Sequence, residues 1–369
     1  MTKTILEKVD RGEELSPAEI QTLLEFSDAD ELQALYDCAY RVKEREVGKV
    51  AYFRGIIECS NICVKDCYYC GIRKSNKNVE RFQMDEEEII REAIWAFDNE
   101  YGSAVIQSGE RQDAAYIDMI ERVVRTVKEK TGGKLGITLS LGEQTEETYR
   151  RWREAGAHRY LLRVETTNPE LYAKLHPEDH DLETRKQCLA LLKKTGWQVG
   201  TGVMMGLPGQ TSEDLVNDIL FMKEIDVDMV GMGPYIPHRQ TPMGEEIPPY
   251  TDEQKADALT LGLKMIAVTR IVLKDINIAA ATALQALEHT GREMGLKCGA
   301  NVIMPNVTET EFRPSYTLYD NKPCTDENSS MCRGCLTGRI TGIGETIGFN
   351  EWGDSPHYAK RTRTEGETV

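Results

Sequence analysis

The stretch Cys59-Ser60-Asn61-Ile62-Cys63-Val64-Lys65-Asp66-Cys67-Tyr68-Tyr69-Cys70 gathers four of the chain's ten cysteines. The spacing Cys63-x3-Cys67-x2-Cys70 lets one loop curl three thiolates towards a single centre, which suits three corners of an iron–sulfur cubane. Held at three corners, such a cluster leaves its fourth iron without a protein ligand. The competing reading is zinc, which prefers four ligands and could recruit Cys59. Cys59 falls at the end of a strand-like run, where cysteine is more often a small buried residue, so we leave it out of the set. A second triple, Cys324, Cys332 and Cys335, has no histidine near it, and either an iron–sulfur cluster or structural zinc fits its donors.

Polar residues also recur at strand spacing. Over 159–165, a two-residue period puts Arg159, Leu161, Arg163 and Glu165 on one face and Tyr160, Leu162 and Val164 on the other. Ionisable groups inside a barrel cost several kcal/mol, roughly, unless paired or solvated by a polar ligand. The plainer alternative is a strand whose polar face meets water. Two neighbours favour the barrel: Gly136-Ile137-Thr138-Leu139-Ser140 alternates the same way, and Gly200, Gly202, Met204 and Gly206 form a row through which a ligand could approach the backbone.

Positioning these groups calls for a parallel sheet. From about Val50, short β-branched runs alternate with helix-period segments, the pattern of repeated βα units. Eight strands are expected, at 52–58, 103–107, 136–140, 159–164, 198–204, 228–232, 276–280 and 301–304. The expected fold is α/β, a closed (β/α)8 TIM-type barrel over 49–306, although six strands in an open barrel with two accessory strands would give a similar string. The cysteine loop would follow the first strand, on the face where such barrels place functional loops. Ser16-Pro17-Ala18-Glu19 reads as a capped helix start, with Asp28 or Asp30 capping a second helix, so 1–48 is expected to be a helical extension plugging the barrel from outside. The C-terminal extension, 307–369, bears the second cysteine triple and ends in a polar tail, 361–367, expected to be disordered.

Composition narrows the function classes. The 61 Asp and Glu against 45 Lys and Arg give a net charge of −16, which repels polyanions and argues against a nucleic-acid partner. No run approaches a membrane span or a signal peptide. Cysteine-rich and leaderless, the chain reads as a cytoplasmic protein whose thiols bind metal rather than pair. The six histidines are scattered without ligand spacing. Gly342-Ile343-Gly344-Glu345-Thr346-Ile347-Gly348 misses a dinucleotide fingerprint by one position and more plausibly closes a helix.

With Tyr69 immediately before Cys70, the first cluster motif resembles the C-x3-C-x-aromatic-C signature of the radical S-adenosylmethionine (SAM) superfamily. That resemblance implies a [4Fe–4S] cluster on Cys63, Cys67 and Cys70, and SAM cleaved at the open iron to a 5′-deoxyadenosyl radical. Ser108-Gly109-Glu110 is similar to the family's G-G-E turn, with Glu110 placed for the methionine ammonium. Met204-Met205-Gly206-Leu207-Pro208-Gly209-Gln210 is similar to its fifth-strand motif, except that Gly209 stands where glutamate is expected, which leaves adenine binding there open.

Further strings resemble the HydE branch of [FeFe]-hydrogenase maturases: Ser140-Leu141-Gly142-Glu143, Arg159-Tyr160-Leu161-Leu162-Arg163, Asp228-Met229-Val230-Gly231-Met232-Gly233-Pro234 and Cys298-Gly299-Ala300-Asn301-Val302-Ile303-Met304-Pro305-Asn306. This implies cofactor contacts from Tyr69, Ser108, Gly109, Glu110, Arg163, Glu165, Arg185 and Gly206. It also implies a substrate cavity from Arg54, Thr138, Arg159, Met229, Thr282, Met304 and Tyr316, with Ala281 in place of a threonine. The branch's substrate would be an iron–carbonyl–cyanide–cysteine complex on the way to the hydrogenase di-iron site. Cys324, Cys332 and Cys335 would hold an accessory [2Fe–2S] or [4Fe–4S] cluster. Implied partners are a reductase or ferredoxin-type electron donor and other maturases, acting with a monomer. Two rival expectations are a methylornithine synthase or biotin synthase relative acting on an organic substrate, and a non-catalytic iron–sulfur carrier.

Overall fold

Side-chain caps start the first helices where the sequence places them. The computed structural model describes residues 2–326 and 328–366. After α1 (Thr2–Asp10), α2 (Pro17–Leu24) opens on a reciprocal Ser16–Glu19 capping box, and Asp28 caps α3 (Ala29–Glu46). Three helices thus stand where two were expected. They do not plug the barrel. Instead, α2 and α3 pack against its flanking helices, and the Lys264 ammonium holds the carbonyls of Leu24 and Phe26 at 2.6 and 3.0 Å.

Strands and helices then alternate as β1 (Val50–Ser60), α4 (Glu86–Asp98), β2 (Ser103–Ser108), α5 (Ala114–Lys130), β3 (Gly136–Ser140), α6 (Glu146–Ala155), β4 (Arg159–Leu161), α7 (Pro169–Leu175), α8 (Leu182–Lys194), β5 (Gln198–Thr201), β6 (Met204–Met205), α9 (Ser212–Glu224), β7 (Met229–Val230), β8 (Gly233–Pro234), α10 (Asp252–Leu273), β9 (Asn277–Ile278), α11 (Thr282–Leu287), α12 (Gly291–Lys297) and β10 (Val302–Ile303). The parallel sheet runs β10-β1-β2-β3-β4-β5-β7-β9. All eight expected strands are present, most of them shorter than the sequence suggested.

Two strands break for a visible reason. A Cβ on Gly202 would lie 1.9 Å from the Gly231 carbonyl oxygen, so the two backbones touch there. Beyond that contact, β6 and β8 pair separately, Met204 opposite Gly233. The expectation of a closed barrel is corrected: the ladder is an open path of eight strands. Its end strands meet only at a seam, one bridge between Ala279 and Val302, with Asn301 N–H donating to the Ile278 carbonyl and Ala280 N–H to that of Val302, each at 2.9 Å.

The alternation along 159–165 holds. Tyr160, Leu162 and Val164 join the main apolar core between sheet and helices, which leaves Arg159, Leu161 and Arg163 to the inner face. Past Pro305, α13 (Ser329–Gly342) leads into β11 (Thr346–Ile347), which pairs with the beginning of β1. The segment 342–348 therefore closes a helix and adds a strand. Residues 361–366, expected to be disordered, end helix α14 (Pro356–Gly366); residue 367 lies outside the described residues. No helix of the described residues is long and apolar enough to cross a membrane.

Candidate active site

The loop after β1 is shaped by charge-assisted hydrogen bonds rather than by an apolar core. Arg81 donates to the carbonyls of Asn61, Ile72, Arg73 and Asn76 at 2.6, 2.8, 2.5 and 3.0 Å. The Asp66 carboxylate accepts from Arg73 Nε and Nη2 and from the Ser75 N–H and hydroxyl, all at 2.8–2.9 Å. Burial opposes that charge, yet these donors hold the Asp66 carboxyl down to about 2. The result is a closed ring of backbone from which Cys63, Cys67 and Cys70 project, each half-buried.

Burial raises all three thiols, Cys67 to about 12, and each of the later two feels the charge of the earlier ones. Among the described residues no Cys, His, Asp or Glu group is already drawn together as a metal cage. Cys59 is excluded by position: fully buried, its sulfur faces Tyr116 Oη at 3.8 Å.

The β2 turn closes directly onto this loop. A Cβ on Gly109 would fall 2.4 Å from the Ile62 carbonyl oxygen and 2.8 Å from Cys63 Cβ, so only glycine permits the approach. It brings the Glu110 N–H to 3.3 Å from Cys63 Sγ. The Ser108 hydroxyl turns the other way, to Tyr116 Oη at 2.6 Å, leaving its backbone as what it offers the site. Tyr69 sets its ring edge-on to His176 at 5.6 Å, against the small apolar cluster that includes Leu171, Leu175 and Met204.

Around the loop lies an ion network. Arg185 Nε is 2.8 Å from Glu143 Oε1, and its Nη2 is 3.8 Å from Glu110 Oε2. Lys65 donates to Glu143 Oε2 at 2.7 Å, and the Glu143 N–H donates to Glu110 Oε2 at 2.9 Å. Burial disfavours charge on Arg185, but Glu143 foremost, with Tyr172, Glu110 and Cys67, holds it well above its ordinary value. Arg163 reaches Glu165 at 2.8 Å, and Arg185 donates to the Arg163 carbonyl at 3.2 Å. Among the buried atoms here that make no hydrogen bond are Glu110 Oε1, which lies 3.5 Å from the Lys65 ammonium, and Arg163 Nε. A carboxylate oxygen held only by an ion pair and a guanidinium donor without a hydrogen bond, beside a thiol loop, fit the ammonium and carboxylate of a methionine group.

A second polar group sits at the N-terminal end of the strands. Arg159 and Arg54 are fully buried. Arg159 Nε donates to Thr138 Oγ1 at 2.9 Å and Nη1 to the Trp352 carbonyl at 3.0 Å, and it pairs with Asp354. Arg54 contacts Met229 Sδ and donates to the Gly353 carbonyl at 2.9 Å. Burial, then the neighbouring Arg159, lowers Arg54 well below its usual value.

The structure therefore brings Cys63, Cys67, Cys70, Gly109, Glu110, Arg163, Glu165 and Arg185 to one end of the strands, and Arg54, Thr138, Arg159 and Met229 to the other. Tyr316 is buried, its hydroxyl taking a 3.1 Å bond from Gln107, and Met304 directly follows β10. Gly206 is exposed, and its N–H is taken by Gln210 Oε1 at 2.8 Å. Thr282 opens α11. In the second triple, Cys332 lies in the apolar core, Cys335 is exposed, and Cys324 takes a weak 3.8 Å contact from Arg292. Cavities of about 620 and 460 Å³ flank the outer loops around Arg239 and Asp320 and are lined by none of the strand residues.

Comparison with known proteins identifies this architecture. A model described as the radical SAM superfamily matches residues 57–222. The [FeFe] hydrogenase maturase subunit HydE of Thermotoga maritima is 45% identical over 352 residues, 95% of this chain and 97% of that one. The chain belongs to the HydE family of [FeFe]-hydrogenase maturases. It is a radical SAM enzyme, and the family implies a [4Fe–4S] cluster and SAM. More distantly, 3-methylornithine synthase of Methanosarcina acetivorans is 27% identical over 84% of this chain and 85% of its own. Among solved structures, methylornithine synthase (PylB) superposes with a TM-score of 0.79 at 24% identity, covering 94% and 98% of the two chains. The maturase HydG from Carboxydothermus hydrogenoformans gives 0.77 at 19%, covering 94% and 79%, a likeness of fold.

In this HydE-family chain, two residues of the network escaped the sequence reading. Lys65 sits inside the cysteine motif and Glu143 ends a string already singled out, but only folding shows that they share Arg185 and Glu110. Arg81 gave no signal at all. Replacing it in Arg81→Lys keeps the charge and loses the planar fork, which should weaken the loop by about 2 kcal/mol. Iron and sulfide retained after desalting should drop severalfold, and wild-type retention would sink the assignment of Arg81 as the loop's clasp.

Proposed function

We propose that Cys63, Cys67 and Cys70 hold the [4Fe–4S] cluster and that the barrel processes an iron–carbonyl–cyanide–cysteine complex during assembly of the hydrogenase di-iron site. When bound, the reduced cluster and SAM supply one-electron cleavage of the sulfonium to a 5′-deoxyadenosyl radical. The chain's own residues do the rest. Glu110 Oε1 offers an acceptor to the methionine ammonium, and Arg163 and Arg185 offer donors to its carboxylate, while Glu165 fixes Arg163. Tyr69, Gly109 and the Ser108 backbone close the wall behind it.

The observation that supports this substrate is the pair of buried guanidiniums at the barrel floor. Arg54 and Arg159, with Thr138 and Met229 against them, give the barrel a cationic end, suited to an anionic complex. Met304, Tyr316 and Thr282 would border the path between floor and cluster. An accessory cluster on Cys324, Cys332 and Cys335, a low-potential electron donor and neighbouring maturases complete the proposed setting in the cytoplasm.

The test is anaerobic reconstitution, reduction, and chromatography for 5′-deoxyadenosine and methionine with and without the synthetic complex. Stimulation of cleavage by the complex is the expected result. Cleavage that the complex leaves unchanged would overturn the substrate while keeping the radical chemistry.

A further inference from the structure

The barrel floor is built partly from outside the barrel. Residues 350–355 run across the N-terminal ends of the strands and are pinned by bonds independent of Asp354: Asn350 N–H to the Glu100 carbonyl at 2.8 Å, Asn277 Nδ2 to the Gly353 carbonyl at 2.8 Å, and Ser355 N–H to Gln198 Oε1 at 3.1 Å. A Cβ on Gly102 would lie 1.6 Å from the Glu351 carbonyl oxygen, so the segment fits against the start of β2 only because that residue is glycine. It delivers one carboxylate, Asp354, to the edge of the floor, where 34% of that side chain remains exposed.

Asp354 is held in a defined orientation. His158 Nδ1 accepts the Ile137 N–H at 3.4 Å, which leaves Nε2 to carry the proton and donate to Asp354 Oδ1 at 3.1 Å. Burial, then Arg159, lowers His158 to about 3, so it stays neutral, whereas Asp354 stays ionised. The floor thus contains two buried guanidiniums, one carboxylate and a neutral imidazole. Arg54 Nε and Arg159 Nη2 make no hydrogen bond. The remaining nearby charge, Lys128, stands 4.3 Å from the Trp352 ring and gives its protons to the carbonyls of Gly133 and Leu135.

We infer that Asp354 is a positioning and charge-selecting residue: it fixes the Arg159 fork and cancels one of the two floor charges, tuning the floor to a singly charged anion over a doubly charged one. This rests on the proposed function for its biological ligand. A ferrous ion with one cyanide and a doubly deprotonated cysteine carries a single negative charge, which matches the one positive charge that Arg54 and Arg159 keep once Asp354 is counted.

The experiment is isothermal titration of bromide and of sulfate into cluster-loaded, SAM-bound protein, so that the arginines near the cluster are already occupied. Asp354→Asn keeps an acceptor for Arg159 and His158 but removes the charge. Its preference for sulfate relative to bromide should rise by about tenfold, and Asp354→Glu should restore the wild-type ratio. An unchanged ratio, or an equal loss of both affinities, would overturn the inference. Because the readout is anion binding, it stands apart from whether the iron complex stimulates cleavage.

Discussion

Cys67→Ala should lower SAM cleavage by at least about a thousandfold, because an iron at that corner would lose a thiolate that no neighbour can replace. Cys59 is the nearest spare cysteine in sequence, but its sulfur faces Tyr116 on the helix side of β1. Its thiol is fully buried there, so it cannot turn to the loop without leaving the core. Cys332→Ala is the matched comparison. Cys332 lies in the apolar core with Leu336 and Ile340, so its truncation should cost about 1 kcal/mol of packing and leave cleavage within about twofold of wild type. Both are read from 5′-deoxyadenosine formed after anaerobic reconstitution, with iron counted per chain. Full cleavage by Cys67→Ala would remove the cluster from this loop, and near-total loss in Cys332→Ala would move it to the second triple.

What could be read from sequence was whatever repeats with a short period or sits in one loop. The spacing of Cys63, Cys67 and Cys70 and the two-residue alternation through Arg159 and Arg163 are local patterns, and backbone geometry turns them directly into faces and loops. The strand ends at Gly202 and Gly231 were not visible, because the break comes from two backbones meeting across the sheet. Nor was the barrel floor. Trp352, Gly353 and Asp354 lie roughly two hundred residues beyond Arg159, in the expected C-terminal extension outside the barrel, and nothing local marks Asp354 as the partner of a buried arginine. The same holds for the N-terminal helices: their caps were legible, but the surface they would cover was a matter of packing.

Arg185→Met should be damaging too, less so than loss of a cluster cysteine, through electrostatics rather than ligation. The arginine is the hub of the network beside the cluster loop, within 2.8 Å of Glu143 and 3.8 Å of Glu110, with Lys65 the other cation. A methionine of similar length fills the space but leaves two buried carboxylates sharing one ammonium. Breaking a buried pair in this way costs about 3 kcal/mol, roughly a hundredfold in SAM affinity if it is spent there. Stability should acquire a pH signature as well. Burial already raises the Glu110 carboxyl above its ordinary value, and Arg185 is the first influence pulling it down. Without that pull the folded state binds a proton more tightly than the unfolded chain, so stability falls as pH rises. The melting-temperature deficit of Arg185→Met relative to wild type should therefore be smaller near pH 5.5 and grow towards pH 8. A deficit independent of pH would mean that the arginine serves only to fill volume.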